Sequence, residues 1–184
     1  MGQPAENQQL ALGDLGNGTP GVSPEYGRSL AQAAAVCLDS QGHSSPTEMP
    51  VKGDASAEVA LAWEAPDERA HRTWADMEFA TEQGAYGIAT LLVPKVSDWT
   101  VAERSRKGTG FDYWLADQND QGPLFQNKAR LEVSGILSGT DSKIDSRVKQ
   151  KLEQTTPTDG ALPALVVVVE FGGPKSKVAK KCVK

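Results

Sequence analysis

The chain has 184 residues, of which 39% are hydrophobic and 23% are charged, and its formal net charge at pH 7 is −5. These values are typical of a soluble globular protein with one ordinary domain, and no apolar run is long enough to cross a bilayer. Residues 1–66 carry a net charge of −6 and residues 67–184 a net charge of +1, which argues against a protein that coats nucleic acid but leaves room for a local basic groove.

The first third of the chain predicts a loosely organised extension. Residues 1–23 are rich in Gly, Gln, Asn and Pro, so we expect a flexible lead-in that is ordered only by packing on another surface. Ser23 and Pro24 form a helix start, and this helix is expected to end near Gly42. Residues 42–56 have the composition of a loop. The alternating sequence EVALAWEAP then predicts a strand, and we expect residues 24–66 to pack on the core.

The rest of the chain, residues 67–184, predicts a regular α/β core. A long helix is expected from Asp67 to about Val93, ended by Pro94. Strands are expected in DWTVAERS, in residues 110–116 and in residues 129–136, the last two as adjacent antiparallel neighbours. A helix at about 142–154 follows. The β-branched run LPALVVVVEF suits a strand that is covered on both faces near the centre of the sheet. A basic tail with a short strand at 176–179 ends the chain.

The predicted elements from residue 67 onward therefore have the order αβββαβ, a mixed sheet with helices against its faces. Side chains alternate along a strand, so Asp112 shares a face with Trp114, and Glu132 shares a face with Lys128, Arg130 and Ser134. If the two strands are neighbours, Asp112 and Glu132 project from the same side. Two such carboxylates repel each other unless a proton or cation is shared, and Mg²⁺ or Mn²⁺ is the natural occupant.

The element order and the two acids resemble the PD-(D/E)XK, or restriction-endonuclease-like, superfamily. The resemblance covers residues 67–184 and implies that Asp112 and Glu132 are catalytic metal ligands. It also implies a Glu from the first helix, for which Glu82 and Glu78 are candidates. Glu82 is favoured because the small residues around it permit close packing.

The sequence departs from the superfamily pattern at two positions. Ser134 stands where the catalytic Lys is expected, and Phe111 replaces the Pro before the Asp. A cation to replace the Lys is available from the same strand face or from the following helix, at Arg130, Lys128, Lys149 or Lys151. The chain is therefore identified as a divergent member that lacks the usual Lys.

The resemblance implies metal-assisted hydrolysis of nucleic acid phosphodiesters, in a small nuclease or in a subunit of a larger DNA- or RNA-processing or defence complex. We expect nucleic acid to contact the basic residues Arg104, Arg106, Lys107, Lys149 and Lys151. The alternative is a catalytically silent protein of the same fold that serves as an assembly or recognition subunit. The missing Lys, the acidic surface and the small size favour this alternative.

Three further expectations complete the sequence-based hypothesis. Residues 1–66 are a candidate surface for a protein partner, and no membrane association is expected. Cys37 and Cys182 predict neither a disulfide framework nor a zinc cluster, and the N-terminus lacks the features of a signal peptide, so we expect a cytoplasmic location. A purely structural alternative stays open for the acids: Glu132 pairs with Arg130 or Lys128, and Asp112 caps the turn at residues 107–110.

Overall fold

A computed structural model of the protein describes residues 8–118, 129–156 and 162–182. Within these ranges the chain forms a mixed α/β fold. Its helices are α1 (Pro24–Ser40), α2 (Glu68–Thr73), α3 (Met77–Val96), α4 (Asp141–Gln154) and a 3-10 helix (Leu12–Asn17). Its strands are β1 (Gln8–Ala11), β2 (Thr47–Gly53), β3 (Ala57–Ala62), β4 (Trp99–Arg104), β5 (Tyr113–Asp117), β6 (Ala129–Ile136), β7 (Ala164–Glu170) and β8 (Lys175–Lys181).

The strands of these ranges form one mixed sheet in the order β1-β3-β2-β8-β7-β6-β5-β4. The elements from α3 to β7 follow the predicted αβββαβ order. Strands β4, β5 and β6 form an antiparallel meander. Helix α4 then crosses over to β7, which runs parallel to β6, as expected for a strand–helix–strand connection. This meander and crossover position the candidate site.

Two hydrophobic clusters lie on opposite faces of the sheet, and β7 contributes to both. Leu165, Val167 and Val169 pack in the larger cluster, together with residues of α1 and α3. Val166 and Val168 pack in the smaller cluster, which includes residues of α4. All seven residues of β7 are buried, so the prediction of a covered strand inside the sheet is confirmed. The unbroken β-branched run reflects burial on both faces.

The N-terminal residues 8–23 take part in this fold. Strand β1 pairs in parallel with β3 at the edge of the sheet. Leu10, Leu12 and Leu15 are buried in the larger cluster. The segment therefore packs on the domain, and its flexibility stays a prediction. Helix α1 contacts α3, and β2 and β3 extend the sheet beyond β8. Among the residues described, no helix combines the length and apolar content needed to cross a membrane.

The predicted long helix from Asp67 to about Val93 is two helices: its start is confirmed, but its continuity and its end at Pro94 were wrong. Asp67 caps α2 by accepting from the Ala70 amide at 2.7 Å, as a helix start requires. Asp76 then caps a new helix, α3, by accepting from the Glu78 and Phe79 amides. Pro94 lies inside the last turn and α3 continues to Val96, because a proline there removes only one hydrogen bond near an end that frays anyway.

The prediction of a loop over residues 42–56 was also wrong, since residues 47–53 form β2. Met49 and Val51 are buried on one face, in the alternation of a strand. Pro50 obscured this pattern because proline cannot donate to a sheet ladder. It is tolerated because the ladder with β8 begins only at Val51, one residue after the proline.

Candidate active site

Asp112 and Glu132 lie close together at the start of β5, beside β6. Tyr113 pairs with Leu131, and β5 begins at Tyr113, so Asp112 precedes the strand and does not lie within it as expected. The Asp112 amide donates to the Leu131 carbonyl at 2.8 Å. The Asp112 Oδ2 atom accepts from the Val133 amide at 2.9 Å. The aspartate is thus fixed to β6 through both its backbone and its side chain.

Glu132 is a buried carboxyl with a perturbed acidity. Its residue is 5% exposed. Burial raises its pKa to about 7, and the neighbouring Asp112 carboxylate contributes in the same direction. The Nζ atom of Lys151, on α4, lies 2.5 Å from Glu132 Oε1 and opposes the shift. The electrostatic influence of Asp112 indicates that the two carboxyl groups share one small site, and Lys151 offsets part of its negative charge.

Tyr86 connects this pair of acids to α3. Its hydroxyl lies 2.9 Å from Asp112 Oδ1 and 3.2 Å from Glu82 Oε1. Burial raises the pKa of Tyr86, and the Asp112 carboxylate raises it further. The hydroxyl therefore stays protonated and donates to the carboxylates, one at a time. Glu82 reaches the site through this tyrosine, one helical turn away on the same face of α3.

Close packing brings α3 to the sheet at this point. A Cβ atom added at Gly135 of β6 would lie 2.4 Å from the carbonyl oxygen of Thr81, the residue before Glu82. Only a glycine permits this approach. The small residues Gly84 and Gly87, which favoured Glu82 in the sequence, instead pack against α1. The placement of Glu82 thus depends on β6, and the expected reason for it was wrong.

Arg104 covers the site from β4. Its guanidinium lies over the Tyr86 and Tyr113 rings, 4.6 and 4.8 Å from their centroids. One nitrogen donates to the Tyr113 hydroxyl at 2.9 Å, and another lies 4.0 Å from Asp112 Oδ1. Because the side chain is 49% exposed, Arg104 presents positive charge both to the acids and to solvent.

Two open clefts flank the acid pair. The first, of 540 Å³, includes Asp112, Glu132 and the basic residues Arg104, Arg106 and Lys107 among its lining. The second, of 720 Å³, lies between α3 and α4. It is lined by Glu78, Phe79, Glu82, Ser134, Lys143, Arg147 and Lys151, among others. The smaller cleft therefore has basic side chains beside the two carboxylates, and the larger cleft adds basic side chains of α4 opposite acidic side chains of α3.

Of the four basic residues considered as replacements for the missing Lys, one contacts the acid pair in the described part of the chain. Lys151, one of four candidates to replace the missing Lys, meets Glu132. Arg130 donates instead to the backbone carbonyls of Thr155 and Leu162, at 2.8 and 2.6 Å. Lys128 lies outside the described residues. Lys149 is exposed on α4 and lines neither of these two clefts.

The remaining expectations concern the acids and the turn. Glu78 lies one turn from Glu82 and lines the larger cleft. The alternative in which the Asp112 carboxylate caps the turn at residues 107–110 is not what the geometry shows. The turn at residues 107–110 is closed by the Thr109 amide and by the hydroxyl pair of Ser105 and Thr109, whereas the Asp112 carboxylate accepts from Tyr86 and Val133.

Sequence reasoning missed two residues of the site, Tyr86 and Arg147. The signal for Tyr86 was its position four residues after Glu82, which places a hydroxyl beside that carboxylate on one helix face. Arg147 donates to Ser134 Oγ at 2.7 Å, so an arginine from α4 lies at the strand position where a lysine was expected. Its signal was weaker, because the contact joins elements 13 residues apart.

The site's chemistry fits a hard divalent cation held by two carboxylates. Within the described ranges, no cluster of three or more His, Cys, Asp and Glu side chains converges as a metal site. Mg²⁺ does not require one, since it commonly binds one or two carboxylates and keeps waters or substrate phosphates as other ligands. Burial raises the pKa of Glu132 and the neighbouring Asp112 carboxylate raises it further, so the pair has the electrostatic character of such a site.

Comparison with known proteins yields no matching family model, no matching curated protein and no matching solved structure.

Proposed function

We propose that the protein is a divergent metal-dependent nuclease-like protein that acts on the phosphodiesters of nucleic acid. The observation that carries the proposal is the convergence of Asp112 and Glu132 beside Lys151, with a cleft containing basic residues on each side. The resemblance to the PD-(D/E)XK superfamily supports the same reading through element order and the two acids. The proposed substrate is a polyanion, which suits the basic side chains on both sides.

Asp112 and Glu132 would hold Mg²⁺ or Mn²⁺. Such a cation would supply Lewis-acid polarisation of the phosphodiester and would lower the pKa of a water that attacks the phosphorus atom. The chain's own groups have separate tasks. Tyr86 and the Val133 amide orient the two oxygens of Asp112. Lys151 favours the ionised form of Glu132, because its charge opposes the rise in the pKa of that carboxyl.

The cations of the two clefts would hold the phosphates next to the scissile bond. Arg104 presents a half-exposed guanidinium beside Asp112. Arg147 lies across Ser134 on the other side. Guanidinium groups bind phosphate through paired N–H donors, and a positive charge near the phosphorus stabilises the negative charge that develops in the transition state. Arg106 and Lys107 extend this positive surface along the smaller cleft.

A second candidate function is a catalytically silent assembly or recognition subunit. The observation that favours it is that the acids already have partners: Asp112 accepts from Tyr86 and Val133, and Glu132 pairs with Lys151. A carboxylate pair satisfied in this way needs no metal to be stable. In this reading the basic clefts bind a partner without cleaving it.

The wider setting is part of the same proposal. The protein would work in the cytoplasm, alone or as a subunit of a nucleic-acid-processing or defence complex. Residues 1–66, with their net charge of −6, would offer an acidic surface to a protein partner. Such a surface repels nucleic acid and would leave the two clefts as its binding region.

The test is cleavage of labelled DNA and RNA, in single-stranded and duplex form, with Mg²⁺, with Mn²⁺ and with EDTA. The nuclease proposal expects metal-dependent cleavage that Asp112→Asn and Glu132→Gln each reduce at least about 100-fold. Asp98→Asn, the same change of charge at an exposed position, is the matched control. Binding without cleavage under every condition would favour the silent subunit.

A further inference from the structure

Phe79 is an exposed aromatic side chain on the rim of the larger cleft. Among the large hydrophobic residues that the structure describes, Phe79 is the exposed one, with 51% of its surface accessible to solvent. It belongs to the first turn of α3, where its amide is held by the Asp76 carboxylate at 3.2 Å. A single exposed hydrophobic side chain is common on protein surfaces, so the inference depends on the ring beneath Phe79 and on the cleft that it borders.

Trp74 supports Phe79 from below. The two rings are stacked, with centroids 5.7 Å apart and planes inclined by 23°. Trp74 is 8% exposed, and its indole N–H donates to Gln32 Oε1 at 3.0 Å. The tryptophan is therefore anchored to α1, and Phe79 rests on a fixed ring. The outer face of Phe79 is a pre-organised surface, which binds a flat ligand with little loss of side-chain entropy.

The cleft that Phe79 borders is charged in a way that orients a nucleotide. Its α4 side presents Lys143, Arg147 and Lys151, and its α3 side presents Glu78 and Glu82. A phosphate is attracted to the first wall and repelled by the second. A strand in this cleft would therefore place its phosphates along α4 and turn its bases towards α3, where the ring of Phe79 lies.

We propose that Phe79 stacks on an unpaired base, so that the substrate is a single-stranded nucleic acid or a strand with unpaired nucleotides. This inference rests on the proposed nucleic-acid function and names its substrate class. Bases inside a duplex are stacked on one another and expose only their edges. Aromatic side chains that accept a base face, next to a basic groove, characterise proteins that bind single strands with little sequence preference.

The test compares single-stranded and duplex oligonucleotides of equal length, labelled with fluorescein, by anisotropy titration in EDTA. The full-length wild-type protein is expected to bind the single strand more tightly. Phe79→Leu keeps the apolar volume but removes the ring, and it should weaken single-strand binding about 5- to 100-fold while leaving duplex binding unchanged. Phe79→Trp restores a ring and should restore the affinity.

Lys95→Ala is the control for a non-specific change of surface, because Lys95 is exposed in the last turn of α3, far from Phe79. Equal single-strand binding by wild type and Phe79→Leu would overturn the inference, as would a wild-type preference for duplex. Because binding is measured without metal, these results are independent of cleavage. If the wild type cleaves nucleic acid but Phe79→Leu binds the single strand equally tightly, the stacking inference is rejected and the proposed nuclease function is not.

A protein-interface role for Phe79 is the other outcome that the experiment recognises. If Phe79→Leu changes the sedimentation of the protein without nucleic acid, and leaves single-strand binding unaltered, the ring belongs to an interface between copies. That result also overturns the inference.

Discussion

The ammonium group of Lys151 lies 2.5 Å from Oε1 of Glu132, so that a residue of α4 places its charge against a buried carboxyl of β6. The superfamily that the sequence resembles would have its lysine two positions further along the strand, at Ser134. In this chain that position is occupied by a serine bonded to Arg147. The cation that contacts Glu132 therefore comes from the crossover helix, whereas Arg104 of β4 lies beside Asp112.

The first prediction concerns pH. The pKa of Glu132 is raised from 4.5 to about 7 in the folded protein, so the folded state binds the proton more tightly than the unfolded state does. This contribution to stability is full below about pH 4.5 and is lost as the pH rises through 7. Glu132→Gln should remove it. Between about pH 5 and pH 8, the fall in the free energy of unfolding should be about 2–3 kcal/mol smaller in Glu132→Gln than in the wild type.

Urea denaturation at the two pH values, in EDTA, measures this difference. The matched control is Glu153→Gln, at an exposed position of α4, which should keep the wild-type pH dependence. Parallel pH profiles for wild type and Glu132→Gln would show that Glu132 titrates normally, and the proposed repulsion from Asp112 would then have no thermodynamic effect.

The second prediction removes the cation. Lys151→Met keeps the aliphatic stem but leaves Glu132 buried beside Asp112 without its partner, and the free energy of unfolding at about pH 8 should fall by about 1–3 kcal/mol. The loss should be smaller at about pH 5, where Glu132 is protonated. Chemical denaturation measures both.

Two comparisons make the second prediction specific. The double variant of Lys151→Met with Glu132→Gln should recover most of the stability at about pH 8, since no buried charge is left. Lys149→Met, an exposed lysine on the same helix, should have little effect. A double variant as unstable as Lys151→Met would mean that the lysine acts through packing.

The third prediction concerns metal binding. If Asp112 and Glu132 hold a divalent cation, Mn²⁺ at about ten times its Kd should raise the melting temperature by about 3–6 °C. Asp112→Asn should abolish this rise. The variant also alters a hydrogen bond to Tyr86 or Val133, so the metal response, not the absolute melting temperature, is the readout.

Thermal melts with and without Mn²⁺ at about pH 8 provide the measurement. Asp98→Asn should melt with the full metal response. An undiminished response in Asp112→Asn would place the Mn²⁺ elsewhere on the protein and would leave the silent-subunit reading as the better one.

The fourth prediction concerns the N-terminal segment. A Cβ atom added at Gly27 in α1 would lie only 1.9 Å from the carbonyl oxygen of Leu15, so Gly27→Ala should force the 3-10 helix away and cost about 1–3 kcal/mol. If residues 8–23 were detached, the same change in a helix interior would instead stabilise by about 0.5–1 kcal/mol. The sign of the change in unfolding free energy decides between these cases.

Gly13→Ala is the matched control, because a Cβ atom at Gly13 meets no other atom within 4 Å. It should leave stability close to that of the wild type. Hydrogen exchange of Leu10, Leu12 and Leu15 gives an independent check, since amides of a segment packed on the domain exchange more slowly than those of a free one.

Local patterns in the sequence determined several elements of this protein. Ser23 caps α1, as its chemistry predicts. The β-branched run of residues 164–170 forms the strand that is buried on both faces. The alternation around Asp112 and Glu132 predicted that the two acids would share a side of the sheet. Each of these signals lies within a few residues, where backbone sterics and side-chain periodicity act directly.

Only the tertiary structure decided how distant elements meet. The composition of residues 42–56 predicted a loop, but residues 47–53 form a strand because β3 and β8 offer ladders on both sides. Lys151 meets Glu132, and Tyr86 meets Asp112, across 19 and 26 positions of sequence. No local rule ranks such partners. The pairing of a charge depends on which helix the packing of the whole core brings beside it, and that packing is a property of all the buried side chains together.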